Sequence, residues 1–324
     1  MLIPSKISRL AFFAVCILCA SQAHASSDDY VKKEGIEKYL KKADNKKGRH
    51  SMANIDFIYV INLDPRPERY ERTMEALKPY GIVPYRFSAV NGWKLSNEAI
   101  DELGIVYKPS MPEGPICSVY RHVDGKEYIS YEIMKEEGVC YYSHSLSRGA
   151  IGCLLSHLSI LQDAYDSGYE TVWIMEDDIR VVSDPREISL LVNTLNNLAP
   201  EWDVFFTDNE VKGANGTPVP CMVIRPRPLV QLQPLDYYLK RTQLSNGIEK
   251  IVMRFGSASM VVNRSGMKKL LDFFKKNKIY FPYDIDYFFV PNINFYAMTR
   301  DIVTNIAGGE SDNGKPTYVE VGNK

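Results

Sequence analysis

The stretch Ile55-Asp56-Phe57-Ile58-Tyr59-Val60-Ile61 is almost entirely β-branched or aromatic, which is typical of a strand buried on both faces. A turn at residues 62–67 follows it, residues 68–80 carry apolar side chains at helical spacing, and residues 83–88 have the pattern of a second strand. A strand, a helix and a strand within about 35 residues indicate a β-α-β unit. The sequence therefore predicts an α/β protein whose mostly parallel, Rossmann-like sheet is flanked by helices.

The same reasoning extends the α/β pattern toward the C-terminus. Ser147 is a good N-cap for a helix over residues 148–166, which places apolar side chains on one side. Further strands and helices are predicted over residues 171–175, 184–198, 202–206, 257–262 and 266–276. Residues 105–145 and 209–250 show no sustained period, so we interpret them as two irregular insertions that border a cleft.

Composition bounds the class of protein. The 324 residues are 45% hydrophobic, with 39 basic and 40 acidic side chains, so no global field favours nucleic acid as a partner. Glycine and proline, at 20 and 18 residues, are near average, which excludes collagen-like and disordered chains. The apolar runs are all shorter than the ~18 residues of a membrane span.

The first 25 residues have the pattern of a secretory signal peptide. Lys6 and Arg9 precede a short apolar run at residues 10–20, and Ala23-His24-Ala25 forms a small-residue cleavage site. We therefore expect export through a cleavable signal, to the periplasm or, in a eukaryote, to the secretory lumen. If the signal is not used, the expected location is the cytoplasmic face of the membrane.

Residues 26–54 are polar and rich in lysine, and we interpret them as a mobile leader before a single domain over residues 55–324. The alternative is peripheral contact between these lysines and an anionic membrane surface. Four cysteines lie outside the signal segment, and none of them forms a C-x-x-C pair. Cys117 and Cys140 bracket an insertion and are candidates for a disulfide.

Glu176-Asp177-Asp178, directly after the apolar strand at residues 171–175, is the strongest local signal of chemistry. Ligands of open α/β sheets bind at the carboxyl ends of strands. Adjacent carboxylates repel one another unless a cation lies between them, and carboxylate oxygen suits Mn²⁺ or Mg²⁺. The inferred ligand is a phosphate-bearing molecule held through such a metal. The alternative is a solvated acidic loop.

Several segments together resemble glycosyltransferase family 25, and they follow the family's order over roughly residues 55–312. They are Val60-Ile61-Asn62-Leu63-Asp64 with Arg66 and Arg69, Ser88-Ala89-Val90-Asn91-Gly92, Gly149-Ala150-Ile151-Gly152-Cys153 with Ser156-His157, Ile174 to Asp178, and Pro282-Tyr283-Asp284. The family includes lipooligosaccharide and collagen galactosyltransferases. The resemblance implies a GT-A fold, a nucleotide-sugar donor, a divalent metal and inversion at the sugar carbon. Ala150 departs from relatives that often carry an acid there.

The resemblance also implies roles for particular residues. It assigns Asp178 to the metal, Mn²⁺ or Mg²⁺, and Glu176 or Asp177 to the ribose or to a metal-bound water. It places a second group of side chains near the donor nucleotide: Asn62, Arg66, Arg69 and Asn91. An Arg can bind a diphosphate with a bidentate fork. The alternative for the two arginines is a salt bridge at the start of the helix, to Glu68 or Glu71.

Asp284 and Asp286 are the candidates for the catalytic base, because they alternate within an aromatic stretch that would shelter a carboxylate and raise its pKa. On a strand their side chains would share a face. Asp208, at the end of a predicted strand, is a third candidate. Ser156 and His157 lie inside a predicted helix, where a donor-side hydrogen bond competes with a purely structural role.

The expected function is a metal-dependent, inverting glycosyltransferase that moves a sugar, galactose by family majority, from a UDP-sugar to a hydroxyl of a glycan, glycolipid or protein acceptor. The alternative is a catalytically silent carbohydrate- or nucleotide-binding protein that keeps the fold. An exported metal-dependent phosphohydrolase is disfavoured, because a single carboxylate cluster is evident and the chain has five histidines.

Overall fold

The computed structural model describes residues 35–211, 215–217, 227–308 and 311–314. The predicted signal peptide and Cys221 lie outside these ranges and are not tested. The elements are β1 (Phe57–Asn62), α1 (Pro67–Leu77), β2 (Tyr85–Ser88), α2 (Asn97–Leu103), β3 (Ile105–Val106), β4 (Ile116–Val123), β5 (Lys126–Ile133), β6 (Cys140–Tyr141), α3 (Arg148–Asp166), β7 (Thr171–Glu176), β8 (Ile179–Val181), α4 (Glu187–Leu198), β9 (Val204–Phe206), α5 (Leu235–Tyr238), β10 (Arg241–Ser245), β11 (Ile248–Ile251), β12 (Ser259–Asn263), α6 (Arg264–Asn277), α7 (Tyr283–Asp286), β13 (Phe295–Met298) and β14 (Val303–Asn305).

Eight of these strands form one central sheet in the order β10-β11-β13-β9-β12-β7-β1-β2. The β2-β1-β7 pairs and the β9-β13 pair are parallel, while the remaining pairs are antiparallel. Following these pairings across the sheet shows that β11 and β12 run opposite to the other six strands. The prediction of a mostly parallel sheet flanked by helices is confirmed, and the β-α-β unit at its start pairs Tyr59 with Tyr85.

Successive side chains of β1 point to opposite faces of the sheet, and both faces are buried. Tyr59 packs into the apolar layer that contains the buried faces of α3 and α6. Ile58 and Val60 pack into the opposite layer, which contains the buried face of α4. Each fully buried apolar side chain contributes roughly 1.5–3 kcal/mol to folding. The carboxyl ends of β1 and β7 are thereby held between two helical layers.

A close backbone contact seats the loop after β2 on α3. Ser147 caps α3 by accepting a hydrogen bond from the amide of Ala150, as the sequence predicts. A Cβ added at Gly152 would lie 2.4 Å from the amide nitrogen of Gly92 and 2.6 Å from the carbonyl oxygen of Val90. Both neighbours are backbone atoms, which cannot rotate away as a side chain would. Glycine is therefore required at position 152 to bring this loop against the helix.

Replacing Gly152 with Ala is expected to destabilise the protein by about 2 kcal/mol, because overpacking against backbone forces the loop at residues 89–92 away from α3. Urea denaturation followed by circular dichroism measures the change. Asp166→Ala, at an exposed position of the same helix, is the control and should stay within about 0.5 kcal/mol of wild type. Equal stability of the two variants would contradict the close-contact interpretation.

The two predicted insertions contain more regular structure than their sequences indicate. Within residues 105–145, β4 and β5 form a hairpin whose turn, Asp124-Gly125, has positive φ at both positions, the geometry of a tight two-residue hairpin turn. Within residues 209–250, β10 and part of β11 form a second hairpin that extends the central sheet. The prediction that both insertions are irregular is therefore wrong for these two hairpins. Their sequences lack a sustained apolar period, so the pattern did not indicate the strands.

Residues 35–54 pack against the domain rather than forming a mobile leader. Ile36 is buried in the layer beside α3. Lys41 donates to the hydroxyl of Ser88, and Lys46 forms an ion pair with Asp163 at 2.8 Å. These two lysines therefore bind within the protein. In the described part of the chain, no helix is both long and apolar enough to span a bilayer.

The predicted disulfide between Cys117 and Cys140 is wrong, since both thiols are free and buried. The Cys117 thiol lies 3.2 Å from the hydroxyl of Tyr280, and the Cys140 thiol donates to the carbonyl oxygen of Ile100 at 3.5 Å. Burial raises the pKa of each thiol. Both cysteines therefore pack as small apolar side chains.

Candidate active site

A cavity of about 90 Å³ opens at the carboxyl ends of β1 and β7 and is closed on one side by α3. Its walls contain all three acids of the predicted cluster, one of the two predicted arginines and the loop after β2. The side chains and backbone of this wall come from Arg69, Asn91, Trp93, Gly149, Cys153, Ser156, Glu176, Asp177, Asp178 and Asp312, among others. The structure thus brings together residues that the sequence places more than 240 positions apart.

Glu176 is held at the edge of the cavity by two polar partners. Its Oε1 accepts a hydrogen bond from the hydroxyl of Ser257 at 2.7 Å and lies 3.2 Å from Nε2 of His157. Burial favours the protonated acid, but the hydrogen bond and charge of His157 outweigh it and hold the pKa of Glu176 below its ordinary value. Glu176 is therefore a carboxylate at neutral pH.

His157 itself is fully buried on α3, and its ring stacks on that of Tyr283 with centroids 4.4 Å apart. The histidine thus connects Glu176 to α7. Ser156 accepts a hydrogen bond from the amide of Val90 at 2.8 Å and so ties the loop after β2 to α3. The sequence left open a donor-side hydrogen bond or a structural role for Ser156 and His157. These contacts with other parts of the protein support the structural role.

Asp177 points into the domain and is held by Asn62. Nδ2 of Asn62 donates to Oδ2 of Asp177 at 2.6 Å, while Oδ1 of Asn62 accepts from Arg86 at 2.8 Å. Nη1 of Arg69 lies 3.6 Å from Oδ1 of Asp177. Burial still raises the pKa of Asp177. Asn62 is therefore a positioning residue for this acid, with its own side chain 1% exposed.

Asp178 has the environment expected of a cation ligand. Its Oδ1 is buried and has no hydrogen-bond partner among the described residues. Burial, followed by the charges of Glu176 and Asp177, raises the pKa of Asp178 to about 7. A bound divalent cation would satisfy this orphaned oxygen and relieve the repulsion between three adjacent acids. The residues present therefore fit Mn²⁺ or Mg²⁺.

A second group of ligand atoms is less suited to a metal. Single atoms of Cys153, His157 and Glu176 lie within 4.8 Å of one another. However, His157 and Glu176 already contact each other. Burial and then the charges of four acids, Glu176, Asp284, Asp178 and Asp177, raise the pKa of the Cys153 thiol well above its usual range. Mn²⁺ and Mg²⁺ prefer oxygen ligands, whereas a thiolate suits softer metals.

The two predicted arginines converge on one acid that the sequence reasoning missed. Nε and Nη2 of Arg66 donate to the two carboxylate oxygens of Asp312 at 3.1 and 3.0 Å, and Nη1 of Arg69 lies 3.4 Å from Oδ2 of the same group. Arg66 also lies 3.6 Å from Glu68, so the alternative salt bridge at the helix start is present as well. Arg66 thus binds this carboxylate as a two-donor fork, and Arg69 adds a second positive charge beside it.

Asn91 caps a short helical turn at the cavity wall by accepting a hydrogen bond from the amide of Trp93 at 3.1 Å. Its Nδ2 is buried, with no hydrogen-bond partner in the described ranges. An unpartnered buried donor in a cavity wall is costly unless a ligand accepts from it. Asn91 is therefore suited to bind a ligand oxygen.

Asp284 and Asp286 lie on the short helix α7 rather than on a strand, so the prediction that they share a face is wrong. Asp284 accepts a hydrogen bond from the amide of Gly256 at 3.0 Å, and its pKa is raised by burial and by the charge of Glu176. The charge of Asp284 also helps to raise the pKa of the Cys153 thiol, and Cys153 is one of the residues that line the cavity.

Asp286 is fully buried in an ion pair. Its Oδ1 accepts from Nε of Arg227 at 2.6 Å, and its Oδ2 accepts from the backbone amides of Tyr280 and Phe281. The third candidate base, Asp208, is similarly engaged by Arg254 at 2.8 Å and by the hydroxyl of Thr304 at 2.9 Å. Both carboxylates are saturated by internal partners, whereas the hydrogen bond from the Gly256 amide engages one oxygen of Asp284, which leaves Asp284 as the remaining candidate.

A family model shows where the chain belongs. The model described as glycosyltransferase family 25 (LPS biosynthesis protein) matches residues 55–289. The chain belongs to glycosyltransferase family 25. The matched range includes the acid cluster, both arginines, Asn91 and α7, and it ends before Asp312.

Individual relatives in this family include active and inactive proteins by name. Over 159 residues the chain is 28% identical to an inactive glycosyltransferase 25 family member 3 of Homo sapiens, covering 49% of this chain and 22% of the relative. It is 29% identical over 161 residues to a glycosyltransferase 25 family member of Drosophila melanogaster, covering 50% and 22%. It is 25% identical over 153 residues to procollagen galactosyltransferase 1 of Danio rerio, covering 47% and 21%. The alignments thus span about a fifth of the length of these relatives.

Proposed function

We propose that this family 25 protein is a metal-dependent, inverting glycosyltransferase of GT-A type that transfers a sugar from a UDP-sugar to an acceptor hydroxyl. The observation that carries the proposal is the buried, unpartnered Oδ1 of Asp178 beside two further acids at the carboxyl end of a central strand. Such a site stabilises itself by taking up a divalent cation, and a cation in this position suits a ligand with phosphates. Bound there, Mn²⁺ or Mg²⁺ would offset the negative charge that develops on the departing diphosphate.

The remaining residues have complementary roles in this proposal. Asn62 orients Asp177, and His157 with Ser257 orients Glu176, so that the acids keep one arrangement. Arg66 and Arg69 bind the diphosphate through their N–H groups, and Asn91 donates to a donor oxygen. These roles need no movement of the central sheet, since all the groups lie at strand ends or on helices packed against it.

Asp284 serves as the general base. Its carboxylate takes the proton from the acceptor hydroxyl as that oxygen attacks the anomeric carbon from the face opposite the diphosphate. The hydrogen bond from the Gly256 amide orients the carboxylate, and the raised pKa strengthens it as a base. The products are a glycoside with inverted configuration, UDP and the proton held by Asp284.

The donor sugar is proposed to be galactose, and the acceptor a glycan, glycolipid or protein hydroxyl. Support comes from the name of one relative, procollagen galactosyltransferase 1. A second candidate function, nucleotide or carbohydrate binding without transfer, is favoured by the inactive relative.

A donor screen separates these functions. The purified protein is incubated with UDP-galactose, UDP-glucose and UDP-N-acetylglucosamine, with Mn²⁺ or with EDTA, and released UDP is measured with and without hydroxyl acceptors. We expect release with one donor that requires Mn²⁺ and increases with an acceptor. Binding of UDP without release would support the silent protein, and metal-dependent hydrolysis of simple phosphate esters would support a phosphohydrolase.

A further inference from the structure

Residues 311–313 lie in the wall of the same cavity, and this segment, residues 311–314, is held there by several contacts. Besides its pairs with the two arginines, Asp312 accepts a hydrogen bond on its carbonyl oxygen from Nε1 of Trp93 at 3.1 Å. The hydroxyl of Ser147 donates to the carbonyl oxygen of Asn313. The segment is thus fastened to the first turn of α3 and to the loop after β2, both of which border the candidate donor site.

The fit against α3 depends on a glycine. A Cβ added at Gly149 would lie 2.4 Å from the carbonyl oxygen of Asp312 and 2.7 Å from the Cα of Asn313. The three nearest atoms to this Cβ all belong to the backbone of residues 312–313. Any side chain at position 149 would therefore push residues 311–314 away from α3. The conflict would be with this segment first, because its backbone atoms are the nearest neighbours.

The carboxylate of Asp312 occupies the anion position of the two arginines. Its side chain is 11% exposed, and it receives two parallel N–H donors from Arg66. Arg uses the same planar fork to bind phosphate. A diphosphate bound by Arg66 and Arg69 would need the donors that Asp312 now holds, so the two anions exclude each other.

Crowding of like charge limits how firmly the segment can be held. Arg69 lies between two acids, with Asp177 at 3.6 Å and Asp312 at 3.4 Å from the same Nη1. One positive charge therefore neutralises two carboxylates. A nucleotide would bind together with a divalent cation, which adds positive charge beside the acid cluster. Exchange of Asp312 for a metal-bound diphosphate improves this balance of charge.

We propose that residues 311–314 are an internal competitor of the donor, in which Asp312 mimics a phosphate and holds Arg66 and Arg69 until a nucleoside diphosphate displaces it. The inference rests on the proposed function, because it takes the arginines as the diphosphate site. The measured affinity for the nucleotide is then the intrinsic affinity multiplied by the fraction of molecules in which the segment has left. Weakening the Asp312 contacts raises that fraction and tightens nucleotide binding.

Calorimetric titration of UDP in the presence of Mn²⁺ tests the proposal. Asp312→Asn keeps the shape of the side chain and removes its charge, so its hydrogen bonds to the two arginines are weaker and we expect UDP to bind about tenfold more tightly than to wild type. Gly149→Ala displaces the same segment by steric conflict and should change affinity in the same direction. The matched control is Asp184→Asn, which removes a half-buried acid that also forms a bidentate pair with an arginine, Arg186; it should leave the affinity unchanged.

Tryptophan fluorescence gives a readout of the displacement itself. The chain has three tryptophans, and Trp173 and Trp202 are fully buried in the core. Loss of the hydrogen bond from Trp93 to Asp312 should therefore shift the emission when UDP is added to wild type, and the shift should be absent from Trp93→Phe. In Asp312→Asn the shift should be smaller, because part of the population has already released the segment.

The outcomes separate this inference from the proposed function. If UDP binds to wild type and Asp312→Asn binds it equally or more weakly, residues 311–314 do not compete with the donor, while the glycosyltransferase proposal stands. If neither wild type nor any variant binds UDP or pyrophosphate with Mn²⁺, the proposed donor site is wrong, and the competitor is overturned with it.

Discussion

Replacing Asp178 with Asn is expected to lower sugar transfer by about 10³-fold, in the range found when one preorganised electrostatic group is removed from an active site. The side chain keeps its size, so the fold should persist. The amide cannot supply the charge that the orphaned carboxylate oxygen offers to a cation. The variant should therefore also lose the rise in melting temperature that Mn²⁺ gives to wild type, since a ligand that binds only the native state stabilises it.

The measurements are UDP release with donor and acceptor, and thermal unfolding with Mn²⁺ or EDTA. Without metal, Asp178→Asn should be at least as stable as wild type. The substitution removes a buried acid whose pKa is raised by burial and by the charges of Glu176 and Asp177. Asp166→Asn makes the same chemical change at an exposed position and should leave transfer and the response to metal intact. Full transfer by Asp178→Asn would refute the assignment of this residue to the cation.

Replacing Asp284 with Asn is expected to reduce transfer by about 10² to 10⁴-fold while UDP still binds, which is the effect of removing a general base. The hydrogen bond from Gly256 to Oδ2 of Asp284 can be retained by an amide oxygen, so the loss reflects proton transfer rather than unfolding. Initial rates with saturating donor and calorimetric binding of UDP measure the two quantities separately.

The pH dependence of wild type provides a second measurement of this role. A general base works only when deprotonated, so activity falls as the pH drops through its pKa. Burial and the charge of Glu176 raise the pKa of Asp284 above that of an ordinary aspartate, which moves the acid limb of the profile to higher pH. The residual activity of Asp284→Asn should lack this limb.

Asp286→Asn is the contrasting variant, because it tests whether the neighbouring acid is structural. The substitution leaves Arg227, whose side chain is 2% exposed, without its buried partner. Breaking one half of a buried ion pair costs about 3–5 kcal/mol, so this variant should lose stability in urea denaturation before it loses a chemical step. Normal transfer by Asp284→Asn together with a specific kinetic defect in a stable Asp286→Asn would reverse the two assignments.

Local sequence pattern was sufficient for the elements that carry the site. The run at residues 55–61 is apolar on both faces because β1 lies between two helical layers. The cap at Ser147 and the acids after β7 were also readable, since each depends on neighbours within a few positions. Membership of family 25 followed from the order of short motifs, which the family model over residues 55–289 confirms.

Contacts between distant segments were not readable in this way. The alternation of Asp284 and Asp286 suggested a strand, but Pro282 precedes a single helical turn. In this turn Asp284 accepts a hydrogen bond from the Gly256 amide, while Asp286 pairs with Arg227 in the core. The segment at residues 35–54 looked mobile because its composition is polar. Lys41 pairs with a hydroxyl of β2 and Lys46 with an acid of α3, which composition cannot reveal.

The amino-acid sequence by itself determined the class of fold, the acid cluster and the family, because these depend on periodicity and on adjacent residues. Only the tertiary structure decided the partners of each charged group. Asn62 donates a hydrogen bond to Asp177, which is 115 positions away in the sequence, and Arg66 donates one to Asp312, which is 246 positions away. Charge in a buried site is stabilised by whatever lies within a few ångströms, and chain folding, rather than local pattern, determines which residues those are.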